Sequence, residues 1–237
     1  MALVVPAILP SSQEEFDKDI VLISNIEAVS RIQIDVVDGR FASPASWPYT
    51  APRELAALVK AGTMLPHLDR IHYEIDLMCF DALDALEHWL ALGASHFVFH
   101  AESTKDLSQL LVSAHKQYGE GLATGLATFG VALNIASDLA LLEPCIEHIR
   151  YVQFMGIARI GRQGQPFDQR VYEKVRIFHS RHPGVRVQID GGVSLANAKE
   201  LIAAGATRLV VGSVILRAGN PMRAIADFEA LKTPYAA

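Results

Sequence analysis

Three aspartates and two glutamines stand in short runs of residues that are otherwise largely apolar. Gln33 and Asp35 lie in RIQIDVV, Asp76 lies in HYEIDLM, and Gln188 and Asp190 lie in VRVQID. Side chains in a strand alternate between its two faces, so Gln33 and Asp35 face the same way. Burial of one unpaired carboxylate is costly, and three of them need a shared cation, a shared proton or a water-filled opening. The alternative is that arginines pair with them or that they point to solvent at loops.

Glycine-containing turns follow two of the later apolar runs. Gly191 and Gly192 follow VRVQID, and Gly212 and Ser213 follow RLVV. In a parallel α/β barrel the loops after strands seven and eight often bind phosphate through backbone N–H groups and a helix N-terminus. Tight turns that need a positive φ are the alternative explanation. Two such turns together favour a phosphate site.

A long loop follows the sixth apolar run and carries two arginines. It covers 156–167 and includes Gly161 and Gly164 beside Arg159 and Arg162. Glycines and arginines together are compatible with a mobile lid over an anion. An ordinary long loop explains the same residues, and the sequence leaves both interpretations open.

Eight short runs of apolar and β-branched residues alternate with segments of helical period along the chain, and we predict a strand in each run. Ser12 with Glu15 predicts a capped helix start, and further helices are predicted over Asp81–Gly93 and Ser194–Gly205. The predicted strands are Val4–Leu9, Arg31–Val36, Ile71–Met78, His96–His100, Gly130–Asn134, Tyr151–Met155, Val185–Asp190 and Arg208–Val211.

Strict alternation of strands and helices predicts a parallel sheet. Eight such units in 237 residues fit a (β/α)8 TIM barrel, a single α/β domain over residues 1–237. No GxGxxG motif follows the first strand, which argues against an open dinucleotide-binding sheet. Because barrel enzymes carry their chemistry at the carboxyl ends of the strands, the polar residues described above would meet at one end of the barrel.

Composition and charge exclude several classes of protein. Hydrophobic residues make up 51% of the chain and the formal net charge is −5, so disorder is excluded and no basic tract offers a nucleic-acid or membrane surface. Cys79 and Cys145 are far apart and are predicted to be small buried residues. The N-terminal run lacks a basic segment and is interrupted by prolines, so we expect a soluble cytoplasmic protein.

Seven strings of residues resemble the ribulose-phosphate 3-epimerase family, and they occur in the same order along nearly the whole chain. They are PAIL at 6–9, QIDVVDGRF at 33–41, DLM at 76–78, GVALN at 130–134, GQPF at 164–167, DGGV at 190–193 and AGATRLVVGSVI at 204–215. The resemblance is specific to the phosphosugar-binding barrels and, within them, to this epimerase branch.

The resemblance implies an isomerase of the pentose phosphate pathway that inverts the carbon beside the keto group of ribulose 5-phosphate to give xylulose 5-phosphate. In the family, two aspartates on opposite faces of an enediolate exchange the proton, and here they correspond to Asp35 and Asp190. Met78 and Met155 stand where the family places methionines above the reacting carbon; ordinary core methionines are the alternative. The phosphate would lie on Gly191, Gly192, Gly212 and Ser213.

Three departures from the family pattern concern the metal, the substrate and the lid. Gln33 and Asp76 stand where the family has two metal-binding histidines, Ala7 replaces a serine on the first strand, and 158–160 replaces the usual start of the lid. The implied ligands Gln33, Asp35, Asp76 and Asp190 offer only oxygen or amide groups, which favours Mg²⁺ or Mn²⁺ over Zn²⁺. The alternative is that no metal binds, and that Gln33 and a protonated Asp76 hold the oxyanion.

Two other functions remain open alongside the epimerase. One is epimerisation of another ketose phosphate, such as a hexulose 6-phosphate, and the other is a non-catalytic phosphosugar-binding barrel. The related decarboxylases need a lysine in the third strand, where this chain reads EIDLMC. The expected partner is a small phosphosugar, with no nucleic acid or membrane, and a homo-oligomer is left open. His100 is expected to support the site, and the segment Trp47-Pro48-Tyr49 to line the opening or an oligomer contact.

Overall fold

Eight parallel strands form a closed barrel in the computed structural model, which describes residues 3–119 and 127–231. Each strand pairs with the next in the chain, and β8 pairs with β1. The predicted (β/α)8 barrel is therefore confirmed, and no strand boundary differs from its prediction by more than two residues. The strands are β1 Val4–Ile8, β2 Arg31–Val37, β3 His72–Met78, β4 His96–His100, β5 Thr128–Leu133, β6 Tyr151–Met155, β7 Arg186–Asp190 and β8 Arg208–Val211.

α-Helices pack outside seven of the eight strands. They are α1 Gln13–Ser24, α2 Pro52–Lys60, α3 Ala82–Ala91, α4 Leu107–Ala114, α5 Arg170–Arg181, α6 Leu195–Ala204, α7 Ser213–Leu216 and α8 Pro221–Glu229. The prediction of strict alternation is wrong between β5 and β6, where two 3-10 helices, Leu139–Leu141 and Glu143–His148, replace an α-helix. Pro144 lies inside this segment and has no N–H to donate to a preceding turn.

The predicted helix ends agree with the capping residues in the structure. The Ser12 hydroxyl accepts a hydrogen bond from the N–H of Glu15 at 3.3 Å, while the Glu15 carboxylate binds Ser11 rather than the Ser12 backbone. Ser194 and Asn197 form a reciprocal capping box at the start of α6. Gly205 ends that helix with a φ of 118°, a conformation that favours glycine. None of the described helices combines the length and apolar character needed to cross a membrane.

Trp47 belongs to the core, so neither position expected for it is correct. It is 0% exposed, its ring stacks on Phe16 at a centroid distance of 4.6 Å, and its indole N–H donates to Glu54 at 2.9 Å. Cys79 and Cys145 are both free and buried, as predicted. The apolar contacts between the helices and the outer faces of the strands account for most of the core.

The middle of the barrel is polar, whereas bulky branched apolar side chains dominate the interior of most TIM barrels. The pairing of the strands places Gln33 beside Glu74, and Gln188 beside both Gln153 and Arg208. Polar groups at such depth must be hydrogen-bonded or ion-paired to one another. Five of these side chains are at most 2% exposed, namely Gln33, Glu74, Gln153, Gln188 and Arg208.

The amino-terminal part of the barrel interior is held by a buried ion pair. Glu74 accepts from Arg31 at 2.8 Å, and the Arg208 guanidinium lies 3.8 Å from the same carboxylate oxygen and 4.5 Å from the centroid of the Tyr151 ring. Burial alone would raise the pKa of Glu74, but Arg208 and Arg31 outweigh it, and the pKa lies below the usual range. Glu74 is therefore a fixed anion beneath the carboxyl end of the barrel.

Candidate active site

Three buried carboxylates meet at the carboxyl end of the barrel. Asp35 of β2 pairs in register with Asp76 of β3, and Asp190 is the last residue of β7. Each aspartate offers one carboxylate oxygen, and these three oxygens lie within 4.8 Å of one another. Closure of the barrel thus brings together residues that are more than 150 positions apart in the chain.

Burial and mutual repulsion change the acidity of two of these groups. Burial, and then the charges of Asp190 and Asp76, raise the pKa of Asp35 well above its ordinary value. Burial and the charge of Asp76 raise the pKa of Asp190 from 3.8 to about 7. Carboxyl groups that titrate near neutral pH can both accept and release a proton under physiological conditions.

Two glutamine side chains donate hydrogen bonds to the three carboxylates. Gln33 Nε2 donates to Asp35 Oδ1 at 2.8 Å and to Asp190 Oδ2 at 3.1 Å. Gln153 Nε2 donates to Asp76 Oδ2 at 2.9 Å and to Asp190 Oδ2 at 3.3 Å. These bonds stabilise the ionised carboxylates and so offset part of the cost of burying them. Sequence reasoning missed Gln153, although it stands two residues before Met155 and therefore faces the barrel interior.

His100 lies within hydrogen-bonding distance of Asp76. Its Nε2 lies 3.0 Å from Asp76 Oδ1, and its Nδ1 lies 4.0 Å from a carboxylate oxygen of Glu102. Burial alone would lower the pKa of His100, but the neighbouring Asp76 and Glu102 reverse this and raise it. The side chain is fully buried, and the Phe41 ring packs 5.2 Å from it. An imidazolium here would offset one of the three negative charges.

A cavity of about 190 Å³ opens above the aspartates. Gln33 and Asp76 do not line it, because they lie beneath its floor, whereas the two predicted catalytic aspartates reach it directly. The predicted site therefore has two layers. Asp35 and Asp190 form a reactive layer at the cavity, and Gln33 and Asp76 belong to a supporting layer beneath it. The predicted residues that line the cavity are Asp35, Asp190, Met78, Met155, Gly191, Gly192, Gly212 and Ser213.

The glycines beside the cavity allow the backbone to approach it closely. Gly191 and Gly192 have φ values of 98° and 67°, so the turn itself requires glycine at both positions. Gly212 has no positive φ, but a Cβ there would lie 2.7 Å from the side-chain nitrogen of Gln163. Tight-turn geometry therefore explains the first pair of glycines and not the third, whose Cβ would chiefly meet the flexible end of the Gln163 side chain.

The loop at 156–167 covers one side of the cavity. Arg159 and Arg162 are both exposed, but only Arg162 lines the cavity, and it donates to the Ser43 carbonyl at 3.1 Å. Gln163 also lines the cavity, and its amide nitrogen lies 3.5 Å from the Ala7 carbonyl. Sequence reasoning missed Gln163, which had no motif to single it out.

A divalent cation of the expected kind needs anionic oxygens grouped within a few ångströms. Asp35, Asp76 and Asp190 meet this requirement. Gln33, the fourth expected ligand, turns its nitrogen toward Asp35 and Asp190, and its oxygen accepts from Gln188 at 3.2 Å. The described residues thus fit a cation held by three carboxylates, with substrate or water as its remaining ligands.

Comparisons of structure agree with the barrel fold. A 3-hexulose-6-phosphate synthase superposes with a TM-score of 0.63 at 18% identity, covering 97% of this chain and 98% of that one. The orotidine 5'-monophosphate decarboxylase of Sulfolobus solfataricus superposes with a TM-score of 0.63 at 14% identity, over 98% and 97% of the two chains. At these identities the likeness shows the fold alone.

Comparisons of sequence are more specific. The ribulose-phosphate 3-epimerase of Schizosaccharomyces pombe is 24% identical over 200 residues, covering 84% of this chain and 80% of that protein. The chloroplastic ribulose-5-phosphate-3-epimerase of Arabidopsis thaliana is 27% identical over 238 residues, covering 99% of this chain and 78% of that protein. A family model described as the ribulose-phosphate 3 epimerase family matches residues 3–216, a range that includes all eight strands. The chain therefore belongs to the ribulose-phosphate 3-epimerase family.

Proposed function

We propose that this protein is a ketose-phosphate 3-epimerase that interconverts ribulose 5-phosphate and xylulose 5-phosphate. The observation that carries the proposal is a pair of buried carboxyl groups, Asp35 and Asp190, which line one cavity from different strands and both have raised pKa values. Inversion of a carbon beside a keto group requires one proton acceptor and one proton donor on its two faces. Two carboxyl groups that share a proton can supply both.

In this mechanism one aspartate begins ionised and the other begins protonated, because two like charges so close together do not both ionise readily. The ionised group removes the proton from the carbon beside the keto group, and the enediolate forms. The protonated group then delivers its proton to the opposite face, and the two aspartates exchange roles for the reverse reaction. The N–H groups of Gln33 and Gln153 hold the carboxylates in place throughout.

Charge develops on the enediolate oxygens in the transition state, and its stabilisation is a large part of the catalysis. A Mg²⁺ or Mn²⁺ ion held by Asp35, Asp76 and Asp190 would supply this stabilisation as a Lewis acid. Met78 and Met155, each 2% exposed, cover the reacting carbon and exclude water from it.

The phosphate group is proposed to bind at the other side of the cavity. The loops after β7 and β8 would donate backbone N–H groups around Gly191, Gly192, Gly212 and Ser213. Arg162 lines the same cavity and adds a positive charge at its edge. A backbone-based phosphate site explains how a chain with a net charge of −5 can bind an anion. Cytoplasmic location and assembly into a homo-oligomer stay predictions.

Epimerisation of a hexulose 6-phosphate is the second candidate, because the cavity of about 190 Å³ is open toward solvent beside the loop at 156–167. A non-catalytic phosphosugar-binding protein is disfavoured, since binding alone gives no reason to bury two carboxyl groups with raised pKa values.

A coupled assay of the purified protein tests the proposal. We expect turnover of ribulose 5-phosphate, none of unphosphorylated ribulose, and slower turnover of a hexulose 6-phosphate; parallel assays with a chelator report the contribution of a metal. Binding of these sugar phosphates without turnover of any of them would overturn the proposal and favour the binding protein.

A further inference from the structure

We propose that Gln188 is a positioning residue that determines how the side-chain amides of Gln33 and Gln153 are oriented. In this orientation both amide nitrogens donate hydrogen bonds to the active-site carboxylates. The hydrogen bonds among these side chains are enough to support this assignment. Its consequence for catalysis rests on the proposed epimerase function.

The side-chain nitrogen of Gln188 faces three oxygens. It lies 2.5 Å from Glu74 Oε1, 2.7 Å from Gln153 Oε1 and 3.2 Å from Gln33 Oε1. An amide oxygen in the same position would meet three acceptors and no donor, whereas the nitrogen can share its two hydrogens among the three oxygens. The orientation of Gln188 is therefore determined by its neighbours.

Glu74 anchors this arrangement at the amino-terminal side. It is 0% exposed and is bound by Arg31 at 2.8 Å, with Arg208 3.8 Å away. The partly buried Arg31 guanidinium and the buried Arg208 guanidinium lie against one carboxylate oxygen, and the other oxygen accepts from Gln188. Arg31 and Gln188 thus both donate to Glu74, and Gln188 also donates toward the active site, to the side-chain oxygens of Gln153 and Gln33.

The orientation of Gln188 determines the orientation of the other two amides. Because the oxygens of Gln33 and Gln153 accept from Gln188, their nitrogens point the opposite way, toward the aspartates. Both nitrogens converge on Asp190 Oδ2, at 3.1 and 3.3 Å. One oxygen of Asp190 is thereby tied beneath the cavity, which restricts rotation of the carboxylate that must exchange a proton above it.

The same contacts govern any metal in the site. Gln33 can offer its oxygen to a cation only if its amide turns over and breaks the bond from Gln188. Replacement of Gln188 by methionine, which has a similar length and no donor, removes that bond. We therefore expect Gln188→Met to lower kcat about tenfold with KM changed less than threefold, because the phosphate loops are untouched. We also expect Mn²⁺, added without substrate, to bind at least fivefold more tightly to this variant than to the wild type.

Electron paramagnetic resonance of free Mn²⁺ measures the affinity for Mn²⁺ and does not depend on enzyme activity. The positioning role of Gln188 can therefore fail or succeed separately from the proposed epimerase function. Gln109→Met is the matched control: it makes the same substitution at an exposed position of α4, and we expect it to change each quantity less than twofold. If Gln188→Met does not fold, Gln188→Asn retains the polar group but shortens it, and smaller changes of the same sign are expected. Mn²⁺ affinity equal to or below that of the wild type, including no binding in either protein, would overturn the proposal.

Discussion

Replacement of Asp190 by asparagine should stabilise the fold while it destroys activity. Burial and the charge of Asp76 raise the pKa of Asp190 from 3.8 to about 7, so the folded protein binds this proton more tightly than the unfolded chain does. The favourable contribution of the neutral group is complete below pH 3.8, and it is lost as the pH rises through about 7. Ionised Asp190 in the folded protein then costs about 4 kcal/mol, by the conversion of about 1.4 kcal/mol per pKa unit.

Asparagine keeps an oxygen that can accept from Gln33 and Gln153 but carries no charge. We expect the free energy of unfolding of Asp190→Asn to exceed that of the wild type by about 4 kcal/mol at pH 8. Between pH 5 and pH 8 this excess should grow by about 3 kcal/mol, since only the wild type has an ionisable group at position 190. For a chain of this size the excess at pH 8 corresponds to a rise in Tm of about 10 °C.

Chemical denaturation of both proteins at pH 5 and pH 8 measures these differences. Asp69→Asn is the control, because Asp69 is exposed and its replacement removes the same formal charge without relief of burial. An Asp190→Asn protein that is no more stable than the wild type at pH 8, or an excess that does not change with pH, would refute the argument that Asp190 is buried at a cost.

Two further predictions concern the phosphate side of the cavity. Arg162→Met should raise KM for the sugar phosphate about fivefold and leave kcat unchanged, because Arg162 lines the cavity and its hydrogen bond is to Ser43 and not to the aspartates. Steady-state kinetics measures both quantities, and a fall in kcat alone would contradict the prediction. Gly192→Ala should destabilise the fold by about 1–3 kcal/mol and raise KM, because its φ is 67° and the new Cβ would lie 2.8 Å from Phe167 Cα. Gly62→Ala is its control in denaturation experiments, with a φ of 64° and open space around the Cβ, so equal losses in the two variants would show that the Phe167 contact has no effect.

The strands could be predicted from the sequence because each is a short β-branched run bounded by turn residues, and eight such runs leave few topologies other than a closed barrel. The segment between β5 and β6 departed from that pattern, since it holds two 3-10 helices in place of an α-helix. The reactive layer could also be predicted, because Asp35 and Asp190 lie at or near the carboxyl ends of predicted strands, where barrel enzymes carry their chemistry, and Gly191 and Gly192 directly follow Asp190.

The supporting layer could not be predicted in the same way. Gln153 lies in YVQFM, a run that reads as ordinary core, and its contact with Asp76 exists only after the barrel closes. Gln33 was expected to offer an oxygen to a metal, but the direction of an amide depends on its partner. That partner is Gln188, which stands 155 positions away in the chain. Alternation along one strand gives the face of a side chain and not the contacts across the barrel.

The central claim is that Asp35 and Asp190 exchange protons with opposite faces of one carbon. Nuclear magnetic resonance in deuterated water, started separately from ribulose 5-phosphate and from xylulose 5-phosphate, tests it most directly in Asp35→Asn and Asp190→Asn. We predict that neither variant interconverts the two sugars. Any remaining exchange of the C3 proton should be confined to one sugar in the first variant and to the other sugar in the second. Interconversion near the wild-type rate in either variant, or exchange of the same sugar by both, would contradict the assignment of the two aspartates.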